Sequence, residues 1–414
     1  MGFGAADEPH AAQAGREMLE AGGTAADAAV AMGLTLAVTL PARAGLGGYG
    51  LCVVHDSKMK TVRTLDFLPQ AEGNGGVAAP TLLRGMALLH ASLGRLRWEQ
   101  VVAKAEALAR DGVPVSRALA IDLEQIRFGD GKEPGLHRLP LMTANGRPLT
   151  VGDTLTQPDL AAVLTRVRVQ GAGIFFDGIL GRKLADGLGL EPAGVRSARA
   201  RWTETATVSA GNDTLHFADA GGDTGGGGGP GGRSRGAALA SAWQAVADGA
   251  GITAATLGEA DLGGSVATTG LVAIDPDENG VACAFSMGTP FGTGRMVPGT
   301  GVIGARSAGL AGIAGPVLRI NPYQNTSTLA AVGTTGELGA REGSAAATAA
   351  LFGVLRQATE NDRPAEEAVA ARSGGGRTNL VSCRYNRVEG FKTCSSATDP
   401  RGTGMAFGIQ RFGR

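Results

Sequence analysis

The chain has 414 residues, which is enough for one large domain or for two or three smaller ones. Its 38 Lys and Arg residues balance 38 Asp and Glu residues, and aromatic residues make up only 4%, so neither a basic field nor base-stacking platforms favour nucleic-acid binding. The 68 glycines are far above ordinary usage and indicate many turns and one long linker.

Amphipathic helices dominate the first half of the chain. Thr24 followed by Asp27 is typical of a capping box, and the helix that it begins extends to about Leu40, because Pro41 cannot continue a helix. A hairpin follows a glycine-rich turn. The predicted helices are 8–21, 24–40, 79–93, 98–111 and a stretch from about 157 to 189, and the hairpin strands are 51–56 and 61–67.

The N-terminus has no basic segment followed by an apolar core, so we expect no secretory signal. The longest apolar tract, 25–42, is rich in alanine and carries Asp27, which favours a buried helix over a membrane span. A cytoplasmic location is therefore the default expectation, with no membrane as a partner.

The composition and the hydrophobic pattern change in the second half of the chain. Ten of the 17 residues in 221–237 are glycine, and the stretch predicts a flexible linker or loop. From Thr268 the pattern becomes β, and residues 268–275 and 281–287 predict a hairpin that is apolar on both faces and therefore buried on both sides. Further predicted elements are a helix at 236–248, strands at 316–321, 328–333, 378–385 and 391–396, and a helix at 341–357.

The four cysteines, Cys52, Cys283, Cys383 and Cys394, lack the spacing of a zinc site. Cys383 and Cys394 flank a turn-rich centre and could face each other across a hairpin, so a disulfide and buried free thiols both remain open. The five histidines are scattered, and the glycine-rich stretch 45–50 follows a helix rather than a strand, unlike a dinucleotide loop. We therefore expect no cofactor and no metal.

Thr268 and Thr269 open the buried hairpin, and two adjacent hydroxyls at a strand start allow two interpretations. One is ordinary β-propensity. The other is that the chain is cut before Thr268, which would then carry a hydroxyl nucleophile and a free α-amine with a pKa near ~8. That amine can take the hydroxyl proton directly or through water, so no distant base is needed.

Several segments resemble the γ-glutamyltranspeptidase family of N-terminal-nucleophile hydrolases, and they follow in order over most of the chain. The resemblance implies an α+β fold, the four-layer αββα sandwich. It implies self-cleavage into a large-subunit-like region, 1–267, and a small-subunit-like region, 268–414, which together form one αββα domain. The matching segments are AAQAGREMLEAGGTAADAAVAMGLTLAVTLP, AGLGGYGLCVVHD, LGRLRWEQVVAKAEALARDGVPVS, GDTLTQPDLAAVLTRV, TTGLVAIDPDENGVACAFSMGTPFGTGRMVPGTGV and ATDPRGTGMAFG.

The resemblance also implies roles for individual residues. Members of this family move a γ-glutamyl group from glutathione-like donors to water or to an amino acid, through an acyl-enzyme ester. Thr268 would be the nucleophile, and Ser286 would supply a second hydroxyl beside it. Gly336 and Glu337 fall in a turn whose backbone N–H groups form the oxyanion hole. Positions expected near the substrate are Thr269, Gly288 and Leu68.

The sequence differs from the family at the positions that bind the α-carboxylate and the α-amine of the glutamyl donor. Leu68 stands where an arginine holds the donor α-carboxylate, and residues 304–312 replace the stretch that holds the α-amine. Paired serines are missing from 311–320, Gly288 replaces an asparagine, and Gly270 replaces a polar residue. Each lost hydrogen bond to a buried charge costs about 1.5–3 kcal/mol, so little affinity for glutathione is expected.

Three hypotheses follow. The first is a diverged, self-processing acyltransferase or amidohydrolase with altered donor specificity. The second is a non-catalytic relative that keeps the fold as a binding or structural protein. The third is an ordinary glutathione-acting transpeptidase with a rebuilt site. The expected partners are a small-molecule γ-glutamyl or other acyl-amide substrate and the protein's own cleaved chains, with no nucleic acid.

Overall fold

The structure is a computed structural model, and it describes most of the chain. The described residues are 1–70, 72–73, 75–128, 139, 143–144, 147–220, 234–248, 266–307, 315–336, 343–371, 375–386 and 391–409.

Helices lie mainly in the first half of the chain, as the periodicity predicts. The capping box at the start of the second helix is confirmed, because the Thr24 side chain accepts from the Asp27 amide and the Asp27 side chain accepts from the Thr24 amide. The helices are α1 (Pro9–Glu20), α2 (Ala25–Thr39), α3 (Leu82–Leu93), α4 (Trp98–Asp111), α5 (Arg117–Phe128), α6 (Pro158–Gln170), α7 (Gly178–Leu188), α8 (Pro192–Ser197), α9 (Arg235–Ala247), α10 (Gly343–Thr359) and α11 (Ala365–Ala370), with a 3₁₀ turn at Ala172–Phe175.

The strands belong to two large sheets and three two-stranded ribbons. They are β1 (Gly2–Ala6), β2 (Tyr49–Asp56), β3 (Thr61–Phe67), β4 (Glu72–Gly73), β5 (Val77–Ala78), β6 (Val113–Pro114), β7 (Thr143–Ala144), β8 (Arg147–Pro148), β9 (Thr154–Leu155), β10 (Arg201–Thr203), β11 (Ala206–Ala210), β12 (Asp213–Phe217), β13 (Ala267–Ile274), β14 (Gly280–Gly288), β15 (Val317–Asn321), β16 (Thr326–Thr334), β17 (Arg377–Asn386), β18 (Phe391–Thr398) and β19 (Met405–Ile409).

The two large sheets pack face to face between layers of helices. One sheet has seven strands in the order β10-β3-β2-β14-β13-β1-β19, and the other has six in the order β11-β12-β15-β16-β17-β18. Strands β13 and β14 contact β16 of the second sheet, while α2 covers their outer face. Helices α9, α10 and α11 cover the outer face of the six-stranded sheet. This four-layer αββα arrangement confirms the predicted fold class.

The hairpin that begins at Thr268 lies at the centre of the molecule. Every residue of β13 and β14 is buried, which confirms the prediction of strands apolar on both faces. Strand β1 pairs with β13 and β19, although the short run of small residues 2–6 gave no strand signal. The sequence also gave no signal for β10–β12, β19 or α5.

The predicted linker 221–237 needs one correction. Ser234 caps α9, with its side chain accepting from the Ala237 amide, so residues 235–237 are helical rather than flexible. Arg, Gly and Ala at these positions are compatible with a first helical turn once a serine supplies the cap. Residues 221–233 lie outside the described residues.

Two disulfides join neighbouring strands. Cys383 and Cys394 pair across β17 and β18, which resolves the two alternatives in favour of the disulfide. Cys52 and Cys283 form a second disulfide across β2 and β14, which the sequence did not predict because 231 residues separate the two. Within the described ranges, no helix is long and apolar enough to cross a membrane.

Candidate active site

The β13–β14 hairpin places Thr268 directly opposite Ser286. Both residues are fully buried. The pairing shifts by one residue at this point, since Thr268 faces Ser286 while Ala267 faces Gly288. Such a bulge bends the strand and redirects the groups beside it. The irregularity therefore falls at the peptide bond between Ala267 and Thr268.

Thr335, which follows β16 in the opposite sheet, contacts both the nitrogen and Oγ1 of Thr268. Its amide donates to Thr268 Oγ1 at 2.9 Å. Its own Oγ1 accepts from the Thr268 amide at 3.0 Å and lies 3.3 Å from Thr268 Oγ1. The Thr268 hydroxyl is thus held by contacts that cross between the two sheets.

The Ser286 hydroxyl is directed at the peptide bond that precedes Thr268. It donates to the carbonyl oxygen of Ala267 at 2.9 Å and accepts from the Gly288 amide at 2.8 Å. A donor on a carbonyl oxygen stabilises the negative charge that develops there when a nucleophile attacks the carbonyl carbon. Ser286 is therefore placed to assist attack on the Ala267 carbonyl.

A buried ion pair is hydrogen-bonded to the backbone of this cluster. The Arg43 guanidinium forms two parallel hydrogen bonds to the Asp122 carboxylate, at 2.8 and 2.7 Å, and the two side chains are 3% and 1% exposed. Arg43 also donates to the carbonyl oxygens of Thr268, Thr335 and Gly336. Burial by itself would lower the pKa of Arg43, but the charge and hydrogen bonds of Asp122, together with the charge of Asp7, raise it.

The second threonine belongs to a different network. Thr269 Oγ1 donates to Asp7 at 3.0 Å, and the Gly270 amide donates to the same carboxylate oxygen. The other oxygen of Asp7 accepts from Asn379. This network joins β1, β13 and β17, so the Thr269 hydroxyl is committed to holding strands together. Its predicted substrate contact stays a prediction.

Two glycines leave no room for the side chains that the family has at these positions. At Gly288, φ is +78°, and an added Cβ would lie 2.1 Å from the Arg306 carbonyl oxygen. At Gly270, a Cβ would lie 2.6 Å from Val332 Cγ1. Such contacts are too short for a real Cβ, so a side chain at either position would require its neighbours to move.

The remaining predicted site residues lie at different distances from Thr268. Gly336 is adjacent, because it follows Thr335, and a Cβ there would lie 1.9 Å from the Gly375 carbonyl oxygen. Leu68 follows β3, three strands across the sheet, or about 14 Å at roughly 4.8 Å per strand. Glu337 lies outside the described residues.

A cavity of about 420 Å³ opens beside the site but does not reach Thr268. Its lining includes Val77, Gly187, Arg295 and Arg306. The amide of Arg306 donates to the carbonyl oxygen of Met287, so the cavity borders the end of β14. Thr268 is not among the residues that line this cavity.

Sequence reasoning missed Arg43, Asp122 and Thr335. Arg43 is the only charged residue between Asp27 and Asp56, and a charge in so apolar a run must find a buried partner. That signal could have singled out Arg43. Its partner could not have been found, because Asp122 lies 79 residues further along the chain.

The described residues contain no group of three or more His, Cys, Asp or Glu side chains that could hold a metal ion. The described polar groups at the cluster are hydroxyls, backbone amides and the buried Arg43–Asp122 ion pair.

Residues 11–195 match the family model described as Gamma-glutamyltranspeptidase. The chain is 34% identical over 180 residues to Glutathione hydrolase 7 of Rattus norvegicus, covering 40% of this chain and 27% of that protein. It is 30% identical over 208 residues to the Glutathione hydrolase proenzyme of Bacillus subtilis (strain 168), covering 45% and 35%. Residues 11–195 therefore resemble the γ-glutamyltranspeptidase family.

The match covers only part of this chain and part of each relative. The aligned part spans about a third of the curated relatives, 34% in the case of Scoloptoxin SSD14 of Scolopendra dehaani, which is 31% identical over 197 residues, or 44% of this chain. The match to the γ-glutamyltranspeptidase model ends at residue 195, so it does not include Thr268.

The fold comparison extends over the whole chain. A cephalosporin acylase from Bacillus halodurans superposes with a TM-score of 0.74 at 17% identity, covering 99% of this chain and 96% of that one. At that identity the likeness concerns the fold. The shared fold is the four-layer αββα sandwich that the described residues form.

Proposed function

We propose that the chain is a γ-glutamyltransferase-like enzyme that cleaves itself between Ala267 and Thr268 and then transfers or hydrolyses acyl groups through an ester on Thr268. One observation carries the proposal. The Ser286 hydroxyl donates to the Ala267 carbonyl oxygen, while Thr335 holds the Thr268 hydroxyl beside the same peptide bond. The products, 1–267 and 268–414, would remain together as one αββα domain.

Self-cleavage would begin with attack of Thr268 Oγ1 on the Ala267 carbonyl carbon. The oxygen of the resulting tetrahedral intermediate would be stabilised by the Ser286 hydroxyl. Collapse breaks the bond to the Thr268 nitrogen, which takes the proton, and leaves Ala267 as an ester on Thr268. Water then hydrolyses the ester, which frees the hydroxyl and leaves a free amine on Thr268.

The same atoms would then serve turnover. The Thr268 α-amine, with an ordinary pKa near ~8, acts as the base for its own hydroxyl. Attack on an acyl amide gives an ester on Thr268 and releases an amine. Ser286 and the backbone of the turn at Gly336 would supply the donors to the new oxyanion. Water or an acceptor amine completes the cycle.

Cleavage would also vacate space directly beside Thr268. Val266 and Ala267 are buried, and Ala267 lies against Ser286 and Gly288. Once the bond is cut, this end of the large region is free to leave, and its departure vacates the volume directly before Thr268. An acyl group could then occupy the position of the Ala267 carbonyl, with Ser286 already directed at its oxygen.

The surroundings favour a donor other than glutathione. Leu68 offers no charge for an α-carboxylate, and no side chain fits at Gly270 or Gly288 without movement of neighbouring backbone or strands. Two relatives are named for glutathione hydrolysis. For this chain we expect an acyl amide without the α-amino-acid head of a γ-glutamyl group.

Intact mass measurement of the purified, reduced protein tests the proposal directly. We expect two fragments, with the smaller one beginning at Thr268, and a covalent acyl adduct on that fragment after incubation with p-nitrophenyl acetate. Release of p-nitroaniline from γ-glutamyl-p-nitroanilide should be slow or absent, whereas rapid release would show that glutathione-like donors are accepted. A chain that stays in one piece and forms no adduct contradicts the proposal.

A second candidate function is that of a non-catalytic relative that uses the fold as a binding or structural protein. The complete burial of Thr268, away from the described cavity, favours it. The two candidates predict different masses for the mature protein. A single stable chain, with the same mass in the wild type and in Thr268→Ala, favours the non-catalytic protein.

A further inference from the structure

Thr335 contacts both atoms of Thr268 that the proposed chemistry uses. Its Oγ1 lies 3.0 Å from the Thr268 nitrogen and 3.3 Å from Thr268 Oγ1. In the uncut chain that nitrogen is an amide that donates to Thr335. After cleavage the same atom is an amine with a lone pair. One hydroxyl then bridges the base and the nucleophile of the same residue.

The Thr335 hydroxyl is fixed in place. The residue is fully buried, and its amide donates to Thr268 Oγ1. Arg43 donates to its carbonyl oxygen and lies 3.3 Å from its Oγ1. Because Arg43 is in turn held by Asp122, Thr335 has little freedom to move away from Thr268.

A bridging hydroxyl solves a geometric problem. The nitrogen and the Oγ1 of one threonine are too close along the chain for a straight hydrogen bond, and hydrogen bonds weaken steeply when they bend below ~120°. A hydroxyl can donate and accept at once, and its hydrogen rotates to suit its partners. Thr335 therefore supplies a straighter path for the proton than direct transfer within Thr268.

We propose that Thr335 is a catalytic residue that relays the proton between the hydroxyl and the α-amine of Thr268; this inference rests on the proposed function. During acylation, Thr335 Oγ1 takes the proton from Thr268 Oγ1 and passes its own proton to the α-amine. Thr268 Oγ1 bonds to the acyl carbon, and collapse of the tetrahedral intermediate breaks the bond between the acyl carbon and the amide nitrogen of the substrate. The ammonium then returns one proton through Thr335 to the departing amine, so Thr335 and the α-amine end unchanged.

Variants at Thr335 and its neighbour test the relay. Thr335→Val keeps the shape but removes the hydroxyl, and Thr335→Ser restores it. Thr334→Val is the matched control, because Thr334 is a buried threonine whose hydroxyl has no partner among the described residues. The readout is the rate of Thr268 acetylation by p-nitrophenyl acetate, followed by intact mass. If Thr335→Val stays uncut, residues 1–267 and 268–414 are co-expressed for all variants.

We expect Thr335→Val to acetylate at least about 100-fold more slowly, as is typical for loss of a general acid–base group. The concentration of ester at half-maximal rate and the pH midpoint of the reaction should stay unchanged. Thr335→Ser and Thr334→Val should stay within about threefold of the wild type. A Thr335→Val rate within threefold of the wild type overturns the relay but leaves the nucleophile intact.

The wild type alone provides a second measurement. A relay moves two protons in one step, so the acetylation rate should fall along a curve as heavy water replaces ordinary water. A straight line indicates a single proton and overturns the relay. If the cut wild type forms no adduct on Thr268 at all, the proposed function itself fails, which is a different result from a fast Thr335→Val.

Discussion

Thr268 and Thr269 are neighbours in one strand, both fully buried, yet their surroundings differ in kind. Around Thr268, described hydrogen bonds come from hydroxyls, backbone amides and a guanidinium that is already paired. Around Thr269, a carboxylate accepts from the hydroxyl and from the next amide. N–H donors and a hydroxyl that can both donate and accept suit an oxygen that gains negative charge as it reacts, whereas a carboxylate fixes a hydroxyl as its donor. The surroundings of Thr268 suit a reacting hydroxyl, and those of Thr269 suit a hydroxyl that holds strands together.

The largest expected effect is on cleavage. Thr268→Ala removes the attacking oxygen and should leave the chain uncut, while Thr269→Val should still be cut. The measurement is a denaturing gel with intact mass of the 268–414 fragment. Cleavage of Thr268→Ala at the same bond would assign the cut to a contaminating protease.

The gel must be run with and without reductant. Cys52 lies before the cut and Cys283 after it, and the two form a disulfide. We expect the cleaved wild type to migrate as one band without reductant and as two bands with it. Two bands without reductant would mean that this disulfide is not formed in the mature protein.

The next largest effect is on folding stability and concerns the Arg43–Asp122 ion pair, which is hydrogen-bonded to the Thr268 carbonyl oxygen. Arg43→Met leaves the Asp122 charge buried without its partner, which typically costs about 3–5 kcal/mol of folding stability. Urea unfolding in the uncut Thr268→Ala background gives this value on a single chain. Self-cleavage of Arg43→Met in an otherwise native chain should also fail, because Thr335 and Gly336 lose a donor.

A matched arginine separates these two consequences. Arg319 is also buried and paired, with Asp213, but lies away from Thr268 on β15. Arg319→Met should lower stability and still permit cleavage. Loss of cleavage in both variants to the same extent would show that cleavage follows stability alone.

Ser286→Ala should slow cleavage without stopping it. Removing one donor to a developing oxyanion costs about 10²–10³-fold in rate, or roughly 2.7–4 kcal/mol. The measurement is the half-time of conversion of freshly refolded precursor, followed by reducing gel. Ser286→Thr keeps the hydroxyl and serves as the control. Equal half-times for Ser286→Ala and the wild type would remove Ser286 from the cleavage step.

The sequence predicted the β13–β14 hairpin because it depends on local pattern, two apolar runs and a turn, whereas the candidate role of Thr268 came from the family resemblance. The cluster around Thr268 depends on contacts between segments far apart in the chain. Arg43 precedes Thr268 by 225 residues, and Thr335 follows it by 67. No local pattern marks such partners. Strand β1 was missed for a similar reason, since small residues become a strand only through pairing with β13 and β19.

The smallest expected effect is that of the second threonine on stability. Thr269→Val removes a hydrogen bond to the Asp7 carboxylate, and hydrogen bonds to charged groups contribute about 1.5–3 kcal/mol. The comparison is again urea unfolding in the Thr268→Ala background, with Thr334→Val as control. Thr334 has no described partner for its hydroxyl, so its replacement by valine should be neutral or stabilising. A Thr269→Val protein as stable as its parent would mean that Asp7 is satisfied by Gly270 and Asn379 alone, and that the Thr269 hydroxyl is free for the substrate contact that the family resemblance implies.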